Sequence, residues 1–478
     1  MTVLLCTLQP LLSTIDQWLA HGDLNNSTGE LFLCRDPDIE CNSREYWDAG
    51  LTFKMRGREK GEQVPGILLS VSEKMLKAGK AIELIKNLGK LGVPDANIFH
   101  VLLSKYLGKS FAYDSTALSP VAPASTTSNM AVHVDPLMMS LFADMAQDIR
   151  PAETSKLPIY SDIWQSIDKL HIIPSTAILK ILVPLMENRC SQVSFNLLTT
   201  LRAHFSLDTH LDTLRKALLM EAGLPMSTFC NEMYRDVYCG EKIRVMSSFL
   251  RECLHSHTPF TGILRMEVTN LQNSSSSCTE IDIFQTVELV YTPPFPVDVV
   301  LDPGLLQIYQ NVFRLLLQIN YAAWCVQPLS LMSFQNAPVS TAVHCFQHHL
   351  ANFIRLLQAY TMQRVLHCTG AEMRRELDKA HELDHYAEVH KKYCLQMEEY
   401  CLLTGEFRTM LGAIRHALNE AVKFRKLWDL GEVGGDRVGK IMLEVNKCIA
   451  FVTNLVKKRN QVSNFPQPHF DWLETALG

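Results

Sequence analysis

The sequence has 478 residues, of which 47% are hydrophobic and 20% charged, and its formal net charge is −5 at pH 7. This composition is typical of a folded globular protein of about two to four domains, without the basic excess of nucleic-acid-binding proteins or polybasic membrane anchors. No apolar run reaches the ~20 residues of a membrane-spanning helix, so we expect neither nucleic-acid binding nor membrane insertion.

The fourteen cysteines are scattered along the chain without Cys-x-x-Cys pairs, and several lie within apolar helical patterns. Reduced intracellular proteins use cysteine in this way, as a small hydrophobic residue. The first twenty residues lack the positively charged start of a signal peptide. We therefore expect free thiols and a cytosolic location.

The first part of the chain predicts helices on either side of a turn-rich stretch. A second helix is predicted within residues 68–91, where Gly79 is an internal weakness because glycine has a low helix propensity. We assign residues 1–108 to this helical domain. The first helix is indicated by apolar residues at helical spacing, namely Leu8, Leu12, Ile15 and Leu19.

The composition changes between Ser110 and Asp135, in the stretch STALSPVAPASTTSN. Ser, Thr, Pro and Ala dominate there, and large apolar residues are almost absent. Such a composition is typical of linkers and of disordered insertions. We therefore predict a linker or disordered insertion at residues 109–155.

The remaining residues, 156–478, are predicted to be mainly helical. Two helices are indicated within 175–221, the second stopping at Gly223-Leu224-Pro225, and one or two more within 226–257. Between 260 and 300, TGILRMEV and IDIFQTVELVY predict short strands. The fold class is therefore mostly α, with elongated multi-helix bundles and a small β insertion. Long helices are predicted at 303–326, 341–367, 370–404, 406–428 and 436–460.

The stretch PFPVDVVLDPGLLQIYQNVFRLLLQINYAAW predicts an extended entry into a buried helix. Pro294 and Pro296 exclude a helix and favour extended neighbours, whereas Asp302 and Pro303 are typical of a helix cap and first turn. A surface helix has one apolar stripe, but residues 303–326 have two, so protein is expected to surround this helix. The stripes are Ile308, Val312, Leu315 and Ile319, and Leu305, Tyr309, Phe313, Leu317 and Tyr321.

HELDH at 381–385 matches the H-E-x-x-H pattern of zinc proteases, in which two histidines on one helical face bind the metal. We favour a solvated helix face instead, because Asp384 replaces the uncharged residue usual beside the metal. A third histidine of the metzincin pattern would fall at Lys391. A zinc metalloprotease therefore stays open as an alternative, and no metal is predicted.

GGDRVGKI at 434–441 resembles a phosphate-binding loop but has Ile441 where a hydroxyl should bind magnesium. The preceding FRKLWDLGEV predicts the end of a helix rather than the strand such a loop requires. A turn between helices is the better interpretation. The paired His348 and His349 favour packing over ligation, and no nucleophile elbow is found. The sequence therefore predicts no catalytic residue, no cofactor and no enzyme activity.

Three short motifs follow one another in the second half of the chain. They are a helix ending in Leu-Leu-Met-Glu-x-Gly, a Leu-x-Tyr strand with Pro-x-Pro-Val and a Tyr-x-x-x-Phe-x-x-Leu-Leu helix, and a helix with Leu-Asp, His-x-x-Tyr and Cys-Leu-Leu. This ordered series resembles the second grip region of the gamma-tubulin complex component family. The residues that carry it are Leu218, Leu219, Met220, Glu221 and Gly223; Leu289, Tyr291, Pro294, Pro296, Val297, Tyr309, Phe313 and Leu316; and Leu383, Asp384, His390, Tyr393, Cys401, Leu402 and Leu403.

The first hundred residues resemble the end of the first grip region of the same family. Asn25, Asn26 and Leu31 depart from the family pattern, so the turn there is expected to differ. On this resemblance the family's N-terminal region, which makes lateral contacts between neighbouring spokes, is mostly absent. The matching residues are Leu11, Trp18, Gly22, Gly29, Glu30, Phe32, Trp47, Gly79 and Lys80.

The resemblance implies a non-enzymatic scaffold whose second grip region, 156–478, binds one gamma-tubulin. Its other partners would be gamma-tubulin complex components, arrayed in a ring or helix that templates microtubule growth. The implied location is the cytoplasm and the microtubule-organising centre, at centrosomes or spindle poles. GTP would belong to gamma-tubulin and not to this chain.

Candidate contacts with gamma-tubulin lie around the helix that ends at Gly223. For each of them the alternative is a core residue or an idle surface residue, whereas Leu218 and Phe313 are assigned to the core. For the whole chain, a helical tether or adaptor without tubulin affinity is a further alternative. The candidate contacts are Arg215, Glu221, Phe229 and Arg235.

Overall fold

The computed structural model describes residues 2–22, 33–40, 43–53, 71–88, 174–269, 279–326, 341–432 and 436–462. The chain divides into two compact units, Met1–Thr199 and Thr200–Gly478. None of the helices in the described residues is long and apolar enough to cross a membrane. The linker predicted at 109–155, with its two boundaries, lies outside the described residues.

The first unit contains helices and a two-stranded antiparallel sheet. The sheet pairs Leu33 with Phe53, and the two helices predicted in this part of the chain are confirmed. The last residues of its longest helix fall in the second unit. The elements are α1 (Thr2–His21), β1 (Leu33–Arg35), α2 (Arg44–Ala49), β2 (Leu51–Phe53), α3 (Ser72–Asn87) and α4 (Pro174–Phe205).

Gly79 lies where α1 packs against α3. The indole Nε1 of Trp18 donates a hydrogen bond to the carbonyl oxygen of Met75 at 3.1 Å, which fixes the ring against α3. A Cβ atom at Gly79 would lie 1.7 Å from Cε2 of Trp18, a distance at which the two atoms overlap. Gly79, which was expected to weaken the helix, is therefore the residue whose missing side chain leaves room for the Trp18 ring.

The second unit is a helical bundle with one small antiparallel sheet. Between α9 and α10, residues Tyr360–His367 continue the helix with π-type hydrogen bonds. The described residues are mostly helical, with two small two-stranded sheets, which confirms the predicted fold class. The elements are α5 (Leu207–Leu218), α6 (Leu224–Tyr238), α7 (Ser247–Leu254), β3 (Leu264–Val268), β4 (Val287–Tyr291), α8 (Pro303–Val326), α9 (Thr341–Ala359), α10 (Cys368–Lys379), α11 (Leu383–Tyr400), α12 (Arg408–Asp429) and α13 (Asp436–Val462).

Helix α8 is the central helix of this unit, as its two apolar stripes predict. It packs against α5, α6, α9, α11 and α12. Tyr309, Phe313 and Tyr321, from one stripe, are each 0% exposed, and the other stripe is buried as well. At its start, the Gly304 amide donates to Asp302 Oδ1 at 3.4 Å, in agreement with the predicted cap. The burial of Phe313 and of Leu218 is thereby confirmed.

A buried glutamine attaches the β insertion to the central helix. The Gln310 side chain donates to the Val287 carbonyl oxygen at 2.9 Å and accepts from the Leu289 amide at 3.0 Å. Because a buried amide without partners is costly, this double hydrogen bond fixes β4 on α8. The polar residue in an otherwise apolar helix is therefore a structural clamp.

Two predicted helix boundaries are wrong. The break expected between 367 and 370 does not exist, since α9, the π-helical segment and α10 are continuous. The helix expected at 370–404 is instead two helices, because Ala380 is extended with a ψ of 119° and Glu382 is the N-cap of α11. No glycine or proline marks this break. Ala380 and Leu383 are buried there, so tertiary packing sets the corner.

The predicted strands are confirmed but are shorter than their sequence patterns. Short turns of 3-10 helix, Thr261–Ile263 and Asp282–Thr286, occupy the first part of each pattern. The segment after Pro296, predicted to be extended, also forms a 3-10 turn at Val297–Val299. β-Branched residues thus favour these regions as strands, but only the residues that pair across the sheet become strands.

Candidate partner-binding surface

The two histidines of HELDH, His381 and His385, do not lie on one face of a helix. His381 precedes α11, Glu382 is its N-cap residue, and His385 lies in its first turn. The geometry of a helical zinc motif therefore does not arise, and the premise that both histidines share a helical face is wrong. Among the described residues, no group of three His, Cys, Asp or Glu side chains is suited to a metal ion.

His390, further along the same helix, is a core residue. Its Nε2 lies 3.2 Å from the Tyr309 hydroxyl and 3.5 Å from the sulfur of Cys394. The side chain is 0% exposed, and burial lowers the pKa of His390 to about 4, so the ring is neutral near pH 7. His390 therefore joins α11 to the central helix α8 through its contact with Tyr309.

Six of the eight residues of GGDRVGKI, 436–441, form the first turns of α13. The chain before it is helical to Asp429, as predicted, and α13 begins at Asp436. Ile441, at the position that would hold a magnesium-binding hydroxyl, is buried. Gly434 and Gly435 lie outside the described residues. The described flanks therefore agree with a turn between helices.

Arg215 and Glu221 form an internal ion pair that links the end of α5 to the turn before α6. Arg215 donates to Glu221 Oε1 from Nε at 3.2 Å and from Nη2 at 2.7 Å. The arginine side chain is only 3% exposed. It also lies against Gly370 of α10, where a Cβ atom would be 2.4 Å from Nη2. This pair positions α6 against the bundle.

The remaining two candidates lie on different sides of α6, one facing the core and one facing solvent. Phe229 is 0% exposed and its ring lies 6.5 Å from that of Phe249, so it anchors the helix in the core. The side chain of Arg235 is 65% exposed and pairs with Glu232 at 2.8 Å. Of the four candidates, Arg235 is thus the one whose side chain reaches solvent most fully.

An exposed face runs along α6, and we call it the α6 face. It comprises Leu224, Thr228, Asn231 and Arg235, whose spacing of four, three and four residues places them on one side of the helix. Leu224 is 79% exposed. This leucine belongs to the Gly223-Leu224-Pro225 sequence, which was expected to stop α5 but forms the start of α6, since α5 already ends at Leu218.

The C-terminal end of α6 meets the end of α12. The Tyr238 hydroxyl donates to the Asp429 carboxylate, which also accepts from Arg425 at 2.9 Å. Burial and the neighbouring Asp429 carboxylate raise the pKa of Tyr238 to about 12, so its hydroxyl stays protonated. The next residue, Leu430, is 71% exposed and lies near this end of α6.

An aromatic cluster packs against the C-terminal end of α6 on the side that faces the core. The Tyr234 ring lies 5.7 Å from Phe284 and 5.5 Å from Tyr321, and Trp324 lies 5.7 Å from Tyr238. Aromatic packing of this kind is worth about 0.5–1.5 kcal/mol per pair beyond the buried area. The α6 face therefore presents polar and apolar groups from a firmly packed support, which suits a protein partner better than a small ligand.

Comparisons with known proteins match nearly the whole chain. The family model described as gamma tubulin complex component C-terminal covers residues 207–455, and the one described as gamma tubulin complex component N-terminal covers residues 1–202. The chain is similar to gamma-tubulin complex component 5 of Macaca fascicularis, with 24% identity over 98% of the chain and 76% of that protein. The Mus musculus protein of the same name is 23% identical over 98% of the chain and 54% of its length. Gamma-tubulin complex component 6 of Homo sapiens is 24% identical over 48% of the chain and 14% of its length.

Proposed function

The chain belongs to the gamma tubulin complex component family, and from this membership we propose that it is a scaffold subunit of a gamma-tubulin complex. In that role it binds gamma-tubulin, associates with other gamma-tubulin complex components and supports microtubule nucleation without catalysing a reaction. The match of both family models along nearly the whole chain is the observation that carries the proposal. The proposed location is the cytoplasm, at microtubule-organising centres such as centrosomes and spindle poles.

The packing of the second unit supports a scaffold role. A template for polymer growth must keep its bound subunits at a fixed spacing, and this requires a stiff support. Helix α8 supplies such a support, since its stripe residues, apart from the half-buried Leu305, are buried among five neighbouring helices, and its Gln310 clamps β4. Close-packed interiors of this kind have low compressibility and transmit strain.

We place the gamma-tubulin contact on the α6 face together with Leu430. Leu224 and Leu430 provide exposed apolar area, and Arg235 provides a charge, a mixture typical of protein–protein interfaces. Arg215, Glu221 and Phe229 support this contact from within by fixing the position of α6. According to this proposal, these three residues contribute to gamma-tubulin binding only indirectly, without touching gamma-tubulin.

The predicted domain organisation is kept as part of the proposal. Residues 1–108 would be the end of the first grip region, 109–155 a linker or insertion, and 156–478 the second grip region that binds gamma-tubulin. The adaptor alternative is a helical tether without tubulin affinity. It differs from the proposal in one measurable property, the affinity of the chain for gamma-tubulin. No observation favours the zinc metalloprotease alternative.

Binding of purified gamma-tubulin to the immobilised full-length chain tests the proposal. We expect saturable binding, and we expect Leu224→Asp with Arg235→Glu to weaken it about tenfold or more, since tenfold corresponds to about 1.4 kcal/mol and the loss of one hot-spot residue costs about 2 kcal/mol or more. Leu395→Asp is the matched control, because Leu395 is 49% exposed on another helix, α11. Binding by the control should equal that of the unaltered chain.

The two possible failures are distinguishable. If the unaltered, folded chain does not bind gamma-tubulin, the proposed function is wrong and the adaptor alternative is favoured. If it binds but the α6 variant binds equally well, the scaffold function stands and the contact lies elsewhere. Circular dichroism of each variant confirms that a loss of binding is not a loss of fold.

A further inference from the structure

Helix α13 packs on the second unit with one side only. Its main contacts are with α12 and α9. The apolar residues that recur at helical spacing on this side are buried, whereas the opposite side is exposed over about five turns. The buried residues are Val438, Ile441, Val445, Val452 and Val456.

The exposed side of α13 carries a row of residues that we call the α13 stripe. Its members are spaced three, four, three, four and three residues apart, the spacing by which one helix packs along another. Leu443, within the stripe, is 55% exposed, and Phe451, directly beside it, is 46% exposed. The stripe thus presents apolar side chains to solvent at the positions of a helix–helix seam. It comprises Lys440, Leu443, Lys447, Ala450, Asn454 and Lys457.

The α13 stripe is basic although the chain as a whole is acidic, with a formal net charge of −5. Lys440 and Lys457 form no ion pair with another described residue. Lys447 pairs with Glu444 at 2.9 Å, but both side chains are largely in solvent, so the pair is weak and exchangeable. Between Lys440 and Lys457, Glu444 is the one acidic residue of the sequence. The lysines of the stripe are therefore available to carboxylates from outside the chain.

We propose that the α13 stripe binds an acidic amphipathic helix of a partner protein. Carboxylates of that helix pair with the lysines, and its apolar side chains cover Leu443 and Phe451. Along the axis of α13, Lys440 and Lys457 are about 26 Å apart, and Leu443 and Phe451 about 12 Å apart. The partner helix therefore has about five turns, with apolar residues in its middle and carboxylates towards both ends.

Charge complementarity separates this partner from a second copy of the chain. Two α13 stripes packed in parallel would place every lysine opposite its own counterpart. Packed antiparallel, they would place Lys440 opposite Lys457 at both ends of the contact. Like charges that face each other across an interface oppose association, whereas opposite charges favour it and fix the register. The stripe therefore fits a partner of the opposite sign.

Binding of a designed peptide to the full-length chain tests the inference. The probe is a fluorescently labelled amphipathic peptide of about 21 residues, with leucine in its seam positions and glutamate on either side. We expect saturable binding in fluorescence anisotropy, and at least about tenfold weaker binding of the same peptide with glutamine in place of glutamate. Lys440→Glu with Lys457→Glu should weaken binding of the acidic peptide about tenfold, and Leu443→Gln about fivefold.

Lys391→Glu with Lys392→Glu is the matched control, since both lysines are exposed on α11 and the change in net charge is the same. This variant should bind the acidic peptide as the unaltered chain does, and circular dichroism shows that each variant is folded. Equal losses in the two lysine variants would overturn the proposal, because the peptide would then respond to total charge alone. Equal binding of the glutamate and glutamine peptides would overturn it as well.

Three further measurements separate the other possible occupants. Binding to vesicles of phosphatidylserine and phosphatidylcholine without binding to the peptide would replace the partner helix by a lipid surface. Self-association in sedimentation that is lost in Lys440→Glu with Lys457→Glu would replace it by a second copy. Binding of gamma-tubulin should be unchanged in this variant, because the contact proposed for gamma-tubulin includes no residue of α13. A loss of gamma-tubulin binding there would show that the stripe is not a separate site.

Discussion

Arg215 Nη2 lies 2.7 Å from Glu221 Oε1, in an ion pair whose arginine is only 3% exposed. The pair holds the turn from which α6 starts. We expect Glu221→Ala to reduce the free energy of unfolding by about 3–5 kcal/mol, because it leaves a buried guanidinium charge without its carboxylate. Urea denaturation followed by far-UV circular dichroism measures the loss.

The matched control is the Arg235–Glu232 pair on α6, whose side chains are 65% and 37% exposed. Solvent screens such a pair, so Glu232→Ala should cost about 0–1 kcal/mol. Equal losses in the Glu221 and Glu232 variants would contradict a structural role for the internal pair.

Gly79 gives a second test of packing, in the first unit. Its replacement by alanine puts a Cβ atom 1.7 Å from the Trp18 ring, and overpacking of this kind costs about 1–3 kcal/mol or more. We therefore expect Gly79→Ala to lower the thermal midpoint, although alanine is the better helix former. Differential scanning calorimetry measures the shift.

Gly412, on α12, is the control glycine because no atom lies within 4 Å of where its Cβ would be. There the higher helix propensity of alanine should dominate, and Gly412→Ala should stabilise the chain by up to about 1 kcal/mol. A stabilising Gly79→Ala would show that Trp18 does not pack closely on α3.

These two glycines show where sequence reasoning succeeds and where it stops. Apolar residues at helical spacing predict α3 and α12, the helices that contain the two glycines, because residues close together in the sequence form the buried face of a helix. It cannot predict the need for Gly79, because the ring that excludes a side chain belongs to Trp18, 61 residues earlier in the sequence. The break at Ala380 was missed for a similar reason, since packing rather than a local breaker produces it.

The central helix α8 was predictable because two apolar stripes are a local signal of burial on more than one side. The candidate contacts were less predictable. Arg215 and Arg235 look alike in the sequence, yet one is 3% exposed and the other 65%. Only the position of α6 against the rest of the bundle separates an internal support from a surface residue.

Phe313 tests the central position of α8 directly. The side chain is 0% exposed, so Phe313→Ala should destabilise the chain by about 3–5 kcal/mol through lost burial and a residual cavity. Phe451→Ala on α13 is the control, because its ring is 46% exposed and should cost well under half as much. Urea denaturation of both variants decides the matter, and an unchanged midpoint for Phe313→Ala would contradict its burial.

His390 predicts a pH dependence of stability. Burial lowers the pKa of His390 to about 4 from the usual value of 6.5, so between these values the unfolded chain binds more protons than the folded one. Stability is therefore complete above pH 6.5 and falls as the pH is lowered towards 4, by about 1 kcal/mol at pH 5.5 from this residue alone. In urea denaturation at pH 7.5 and 5.5, His390→Gln should lose about 1 kcal/mol less than the unaltered chain. His348→Gln, at an exposed position on α9, should lose as much as the unaltered chain, and an equal loss for the His390 variant would contradict a neutral, buried imidazole.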